Sequence, residues 1–454
     1  MRPVRPELRD ACARRRAKFA ARLGGATAVI PAGQAPARNY PDNPYNFRAS
    51  SHFLYLVGVP MEGAVLVVSA NAATLFTHAP SAADALWHGP QPSLSELSGL
   101  LGVFVAPIED LPDAIAGRTL GALPPADAAS IKALDALGPR TADGTVAEAI
   151  IAGRLVHDDA AIAQLRLAAE ATTAAHIAGM GATCPGLHEW AIAGVITGAL
   201  ARLGMTTSYP PIVSVHGEVL HNHAHHHPMA AGDLLLADVG AETAEGWAGD
   251  VTRTWPVSGR FSKTQRAIYE VVLAAHSAAL ANTKPGVRYR DVHLAGATAL
   301  TQGLVDLGVL RGSVEALVAD DVHALFFPHG IGHLIGLDVH DMEDLGDRAS
   351  YAPGRARSHR FGLGYLRLDR DLAAGMAVTI EPGFYQVPAI LEDPERRAAV
   401  GDRVNWSRLA DFSDVRGIRI EDDILLTKDS YVNLTLRIPR TVAEIEALVG
   451  QNLG

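Results

Sequence analysis

The first 157 residues alternate short apolar runs with alanine-rich stretches of helical composition. Glycine or proline bounds the runs, as is typical of short strands, at 26–31, 53–57, 64–68 and 103–106. Ahead of them, one face of a predicted surface helix is formed by Leu8, Ala11, Cys12, Arg15 and Phe19. Strands that alternate with helices predict a small α/β domain at the N-terminus.

The pattern changes near residue 157, where apolar positions begin to recur at helical spacing. The first predicted helix follows Asp158 and ends before Pro185. The next predicted elements are a helix, two strands and two further helices, over 187–203, 212–215, 234–239, 263–281 and 291–307. Two helices followed by strands, twice over, indicate a duplicated α+β architecture. We therefore predict domains 1–157 and 158–454.

Composition narrows the class of protein. A chain of 454 residues with 48% hydrophobic and 19% charged residues is globular and long enough for at least two domains. A net charge of −10 argues against a nucleic-acid surface, and no apolar run is long enough to span a membrane. The arginine-rich N-terminus lacks the apolar core of a signal peptide, and only two cysteines occur. These features predict a cytoplasmic protein.

Four acidic residues lie in or beside apolar, strand-like runs. Asp238 ends the run 234–237, Asp250 follows twelve positions later, Glu381 ends 376–380 and Glu421 follows 418–420. A charged carboxylate in such a place costs several kcal/mol unless it is paired or bound to a metal. Each acid alone could equally be solvated at a strand end. The four together favour a metal centre.

A glycine-rich segment carries His329, His333 and His340 within twelve positions. A lone histidine is more often structural than a metal ligand, but these accompany four strand-end acids. A second histidine tract, at 221–227, is typical of a polar turn, and we expect one of its imidazoles to face the active site. Four carboxylates with one imidazole suit two divalent ions of the manganese type better than a thiolate zinc site. Such a pair activates water, which predicts hydrolysis and leaves the substrate open.

The motifs that contain these residues resemble the aminopeptidase P and prolidase family. The matching stretches are 234–261, Pro-His-Gly-Ile-Gly-His at 328–333, Leu-Asp-Val-His-Asp at 337–341, Thr-Ile-Glu-Pro-Gly-Phe-Tyr at 379–385 and Gly-Ile-Arg-Ile-Glu-Asp-Asp at 417–423. The segments 45–48 and 53–58 are similar to the creatinase-type N-terminal domain of that family. The resemblance implies a C-terminal pita-bread catalytic domain behind a smaller α/β domain, and removal of the residue that precedes proline at a peptide N-terminus.

The resemblance also implies roles for the metal ligands. Asp238 would bind one ion, and Asp250 and Glu421 would bridge both. His333 and Glu381 would complete the shell of the other ion, with Glu381 also moving a proton to or from the attacking water. The family cofactor is usually manganese, with cobalt or zinc as alternatives, and members are usually dimers or tetramers.

The remaining implied site residues contact the substrate or support the ligands. His221, His329 and His340 would hold the substrate and stabilise the tetrahedral intermediate. Arg419 would support the carboxylate ligands, and Trp87 would reach the pocket of a neighbouring subunit. This sequence has one extra residue between Asp238 and Asp250 and has Asn222 where the family commonly has tyrosine. An arginine-rich stretch at 347–361 is predicted to lie beside the entrance.

Two subtypes remain open at the level of sequence. Arg367 is similar in position to the arginine with which prolidase binds the carboxylate of a free dipeptide, although a surface ion pair is equally compatible. The long segment after Tyr385, through Asn405-Trp406 to Val415, also resembles prolidase, whereas Asn433-Leu434-Thr435 resembles bacterial aminopeptidase P. A metal-free pita-bread binding module, creatinase and methionine aminopeptidase are further alternatives, disfavoured by the intact ligands or by the N-terminal domain.

Overall fold

The chain divides into two compact units, Met1–Ile162 and Ala163–Gly454. The computed structural model describes residues 4–451. Both units mix helices with strands, as the sequence predicts. The predicted boundary at 157/158 stays a prediction. No helix within the described range 4–451 is long and apolar enough to cross a membrane.

The N-terminal unit is built on a mixed sheet of five strands in the order β4-β3-β2-β1-β5. These strands are β1 Thr27–Pro31, β2 Val65–Val68, β3 Ala73–Thr77, β4 Phe104–Pro107 and β5 Leu120–Ala122. The helices are α1 Pro6–Ala20, α2 Ser51–Val57, α3 Ala82–His88, α4 Leu94–Leu101, α5 Leu111–Ile115, α6 Ala128–Ala136 and α7 Asp143–Arg154. The predicted apolar face of α1 is buried, together with Arg16.

One predicted strand of this unit is wrong. The run 53–57 belongs to helix α2, in which every residue is buried. A helix buried all round has no polar face, so its sequence lacks the 3.6-residue period that separates a helix from a short strand. The local signals are Ser50, whose side chain accepts a hydrogen bond from the Phe53 amide, and Gly58, which ends the helix at φ 87°.

The C-terminal unit repeats an order of two helices followed by strands, as the sequence predicts. Its helices are α8 Asp159–Ala182, which begins just before the unit boundary, α9 Glu189–Arg202, α10 Lys263–Asn282, α11 Tyr289–Asp306, α12 Val314–Ala319, α13 Asp347–Ser350, α14 Pro388–Leu391, α15 Pro394–Val400, α16 Trp406–Ala410 and α17 Val442–Leu448. Its strands are β6 Thr206–Thr207, β7 Ile212–Ser214, β8 Leu234–Asp238, β9 Ala241–Glu242, β10 Thr252–Pro256, β11 Ala377–Ile380, β12 Gly383–Tyr385, β13 Gly417–Arg419, β14 Asp422–Leu426 and β15 Tyr431–Asn433.

Strand pairing in this unit brings the four predicted acids to neighbouring strand ends. In the sheet β10-β8-β7, Asp238 lies opposite Thr252. In the sheet β11-β14-β15, Ile380 lies opposite Asp422, so Glu381 and Glu421 leave paired strands at the same end. The Glu421 amide donates a 3.0 Å hydrogen bond to the Thr252 carbonyl, which joins the two sheets at the acids.

Candidate metal centre

Two of the acids are linked by a tyrosine. The Tyr209 hydroxyl lies 2.5 Å from Oδ1 of Asp238 and 2.5 Å from Oδ1 of Asp250. Its single proton can serve only one carboxylate at a time, so the pair needs further positive charge. Burial, followed by the charge of Asp238, raises the pKa of the Tyr209 hydroxyl well above its ordinary value and keeps it protonated.

Arg419 supplies one of those charges. Its Nη2 donates to Asp238 Oδ2 at 2.6 Å, its Nε to Thr252 Oγ1 at 2.8 Å and its Nη1 to the Tyr385 hydroxyl at 2.9 Å. Thr252 in turn donates to Glu421 Oε2 at 2.7 Å. The arginine therefore orients two carboxylates, one directly and one through a hydroxyl, as the predicted supporting role requires.

His333 lies among the remaining acids. Its Nε2 is 3.3 Å from Asp250 Oδ2 and 3.6 Å from Glu381 Oε1. Ligand atoms of Asp250, His333 and Glu421 lie within 4.8 Å of one another, and all three residues are buried. The loop reaches this point because Gly332 has no side chain: a Cβ there would collide with the Thr379 carbonyl and the Tyr289 hydroxyl.

The negative charges of this cluster are close together and need cations to balance them. Burial, reinforced by Asp250 and Glu381, raises the pKa of Glu421 well above its ordinary value. Burial and Asp238 raise the pKa of Asp250, and burial raises the pKa of Glu381 to about 7. Burial opposes the charge of His333, but its hydrogen bond to Asp250 and the nearby acids raise its pKa to about 9. Two of the four carboxylates, Asp250 and Glu421, are buried, and those of Asp238 and Glu381 are 13% and 16% exposed. Together they form an oxygen-rich donor set that fits divalent ions.

The cavity above the cluster is lined by four further histidines, of which three are the predicted substrate residues His221, His329 and His340. His329 Nε2 lies 2.8 Å from the Tyr385 hydroxyl, and the ring of His340 stands edge-on to His333 at 4.3 Å. Burial, with Arg419 adding to it, lowers the pKa of His329 to about 3. Burial and His333 lower the pKa of His340 to about 2, and burial lowers that of His221. All three rings are neutral at neutral pH, so each carries a single N–H. In His329 that N–H is on Nδ1 and donates to the Gly330 carbonyl at 2.7 Å, while Nε2 accepts from the Tyr385 hydroxyl.

The cavity has a volume of about 630 Å³, within the range of small-ligand sites. Arg367 lines it, and its charge contributes to the lowered pKa values of His221, His329 and His340. Arg367 Nη1 also pairs with Glu343 Oε2 at 2.7 Å. Arg367 therefore lines the cavity while it forms an ion pair, and its binding of a substrate carboxylate stays a prediction. The 347–361 stretch contributes Arg357 and Phe361 to the lining, beside the cavity as predicted.

The histidine tract 221–227 contributes to the cavity as expected from the sequence, but with two imidazoles and not one. His221 and His223 both line the cavity, whereas a single imidazole was expected there. His225 contacts the Pro211 carbonyl, and His227 contacts Glu189. Trp87 lies on α3 of the N-terminal unit with 77% of its surface exposed. Its contact with a neighbouring subunit stays a prediction.

The site also includes four residues for which the sequence predicts no role: Tyr209, Tyr385, Thr252 and Asp423. Asp423 Oδ2 accepts a 3.1 Å hydrogen bond from the Asp250 amide and so fixes the backbone of that acid. Tyr385 and Asp423 lie within the matched motifs, which is the signal that could have pointed to them. Tyr209 precedes Pro210-Pro211, where no periodic pattern marks a buried hydroxyl.

Comparison with known proteins gives consistent matches along the chain. The model of metallopeptidase family M24 matches residues 163–428, and that of the aminopeptidase P N-terminal domain matches residues 12–122. Xaa-Pro aminopeptidase 1 of Streptomyces coelicolor is 31% identical over 96% of this chain and 86% of its own. Human Xaa-Pro dipeptidase is 30% identical over 93% of this chain and 88% of its own. The structure of Pseudomonas aeruginosa aminopeptidase PepP is similar with a TM-score of 0.81 at 31% identity, over 97% of each chain.

Proposed function

The chain belongs to metallopeptidase family M24, and from that premise we propose that it is an exopeptidase hydrolysing the Xaa-Pro bond at the N-terminus of peptides. Its C-terminal unit has the pita-bread fold, and an aminopeptidase P-type domain precedes it. The observation that carries the proposal is the convergence of four carboxylates and His333 at the base of one cavity. We retain 1–157 and 158–454 as the domains.

Asp238, Asp250, His333, Glu381 and Glu421 would hold two divalent ions, with manganese the preferred species and cobalt or zinc as alternatives. Bound there, the ions supply positive charge that activates water and polarises the scissile carbonyl. The orientation of Asp238 by Arg419 and the hydrogen bond from Thr252 to Glu421 keep the carboxylates in place for this task. The acids alone are too strongly charged to share one buried site without such ions.

The other residues act on the substrate. Glu381 would accept a proton from the attacking water and return it to the leaving nitrogen, since it lies beside both His333 and His329. His221, His329 and His340 would hold the peptide and stabilise the tetrahedral intermediate that forms on the scissile carbonyl. Arg419 preserves the geometry of the acids. Trp87 is retained as a substrate contact that a neighbouring subunit would supply.

A second candidate function, Xaa-Pro dipeptidase, is favoured by Arg367. This arginine lines the cavity close to three histidines, where it could bind the carboxylate of a free dipeptide with its planar fork. In an aminopeptidase, the peptide continues beyond proline, and Arg367 keeps its pairing with Glu343. The two functions therefore differ in the length of peptide that the manganese-loaded protein prefers.

The test compares kcat/KM for Ala-Pro and Ala-Pro-Ala in the manganese-loaded wild type, in Arg367→Ala and in Arg360→Ala. Arg360 is a matched control, because it pairs with Asp321 and does not line the cavity. An aminopeptidase prefers the tripeptide, and the preference persists in Arg367→Ala. A dipeptide preference that Arg367→Ala abolishes and Arg360→Ala retains would assign dipeptidase activity instead.

The proposal extends to the oligomeric state of the protein and to its cellular compartment. We expect a homodimer or homotetramer, which sedimentation would show as a multiple of the 47.8 kDa chain. A reducing cytoplasm suits the chain, because Cys12 and Cys184 are both free and Cys12 is buried.

A further inference from the structure

The cavity is lined by charges of both signs. Besides the four acids of the metal centre, its lining includes four arginines: Arg357, Arg367, Arg396 and Arg419. A short peptide also carries opposite charges, an ammonium group at its N-terminus and a carboxylate at its C-terminus. The arginines are therefore candidates for recognising the part of a peptide that lies beyond the scissile bond.

Three of these arginines already have close carboxylate partners. Arg419 is bound to Asp238, as described above. Arg357 donates to Asp347 at 2.7 Å and to the Leu366 carbonyl at 2.9 Å. Arg367 donates to Glu343 at 2.7 Å. A new carboxylate would have to compete with these bonds.

Arg396 differs from the other three. Its guanidinium carbon lies 3.7 Å from the centroid of the Phe361 ring, which is itself part of the cavity lining. Its nearest acid, Asp393, is 3.6 Å from Nε, and within residues 4–451 its two terminal nitrogens make no hydrogen bond to the protein. The side chain is 36% exposed. Stacking on Phe361 thus orients a fork whose donors face water.

We propose that Arg396, stacked on Phe361, binds a carboxylate of the peptide beyond the proline residue. The carboxylate belongs either to the C-terminus of a tripeptide or to an acidic side chain in the third position. The proposal rests on the proposed Xaa-Pro peptidase function and adds a preference among its substrates. Val387 and Ile390, which line the cavity from the chain just before α15, offer apolar surface to the rest of that residue.

The alternative is an ordinary solvated arginine, and the same helix provides a control for it. Arg397 also stacks on an aromatic ring, with its guanidinium carbon 4.2 Å from the Trp406 centroid, but it does not line the cavity. Its Nε donates to the Leu391 carbonyl. Because a half-exposed charge pair is worth about 1 kcal/mol, a genuine subsite should change kcat/KM about fivefold.

The experiment uses manganese-loaded wild type, Arg396→Gln and Arg397→Gln at constant ionic strength. Two substrate pairs are compared by kcat/KM: Ala-Pro-Ala with its C-terminal amide, and the amides of Ala-Pro-Asp and Ala-Pro-Asn. In the wild type we expect the carboxylate member of at least one pair to be favoured about fivefold. The ratio falls to about one in Arg396→Gln and persists in Arg397→Gln. The pair that responds identifies the source of the carboxylate.

A preference that survives in Arg396→Gln, or its absence in the wild type for both pairs, would overturn the subsite. Calorimetric binding of the product amides Pro-Asp and Pro-Asn to the same three proteins separates the subsite from the reaction. If no Xaa-Pro peptide is cleaved, the proposed function fails. The subsite is still supported in that case if the wild type and Arg397→Gln bind the Pro-Asp amide more tightly than the Pro-Asn amide and Arg396→Gln does not. The subsite would be rejected if the wild type bound the amides of Pro-Asp and Pro-Asn equally and also bound Pro-Ala and its C-terminal amide equally.

Discussion

At the residue scale, a buried carboxylate outside the metal centre holds part of the cavity lining in place. Glu189 is fully buried in the first turn of α9. It accepts hydrogen bonds from the Ser214 hydroxyl at 2.9 Å, the Val215 amide at 2.8 Å and the His227 amide at 3.0 Å. These donors lie at the two ends of the loop that carries His221 and His223. The pKa of Glu189 is lowered, because these donors outweigh the opposing effect of burial.

We predict that Glu189→Gln loosens this loop while the metal ligands stay in place. The glutamine amide turns N–H groups toward donors that the carboxylate satisfied, which costs about 1.5–3 kcal/mol of stability. We expect KM for Ala-Pro-Ala to rise more than kcat falls, with unchanged manganese content. The control is Glu315→Gln, an exposed acid in the first turn of α12. Unchanged KM in Glu189→Gln, or equal effects in both variants, would contradict this positioning role.

Individual residues also differ in how well the sequence alone can identify them as part of the site. Asp238, Glu381 and Glu421 stand out because charge beside an apolar run is costly and needs a reason. Tyr209 does not stand out, because a buried tyrosine is common and its two carboxylate partners lie 29 and 41 positions away. Glu189 has no apolar run before it either. Partners that meet only through the fold leave no local pattern.

At the element scale, periodicity predicted the long amphipathic helices well and the short buried ones poorly. Helices α8, α9, α10 and α11 lie close to the predicted ranges, since each has a polar and an apolar face over many turns. Helix α2 has only seven residues, all buried, so its type depends on the cap at Ser50 rather than on any period. Strand register brought the acids together, and spacing along the chain could not specify it.

Helix α1 is joined to the start of α8 by a partly buried ion pair in the N-terminal unit. Arg15 donates from Nη2 to Asp158 Oδ1 at 2.7 Å and from Nε to Oδ2 at 2.8 Å. The side chains are 3% and 31% exposed. Burial opposes the charge of Asp158, but the hydrogen bonds and charge of Arg15 lower its pKa below the ordinary value. The pair therefore stabilises the fold at pH values where Asp158 is ionised.

We predict that Asp158→Asn lowers the urea midpoint at pH 7, by an amount equivalent to about 1–2 kcal/mol. Because the folded pKa is depressed, this contribution is complete above the unfolded value of about 3.9 and is lost as pH falls through the folded pKa. The difference in urea midpoint between the wild type and the variant should therefore be smaller at pH 3 than at pH 7. Asparagine keeps the hydrogen bond to the Ala161 amide, and Asp159→Asn is the exposed control. A difference independent of pH would contradict the ion pair.

At the scale of the whole molecule, composition and motif order predicted the two-part α/β organisation and the class of chemistry. The preferred peptide length is the property that the sequence left open, and we propose that it depends on how the arginines around the cavity are paired. Arg367 and Arg396 both lie outside the metal motifs, the first in the chain between α13 and β11 and the second in helix α15. Arg367 pairs with Glu343 and Arg396 stacks on Phe361, and both contacts form only through the tertiary fold.

We propose that divalent ions held by this centre are required for cleavage of Xaa-Pro bonds. The direct measurement is hydrolysis of Ala-Pro-Ala by chelator-treated protein as manganese is returned stepwise, with bound manganese counted at each step. We expect no cleavage without metal, and a rate that rises to a plateau as two ions bind per chain. Equal cleavage by the chelated and the loaded protein, or no cleavage when the site is full, would contradict it.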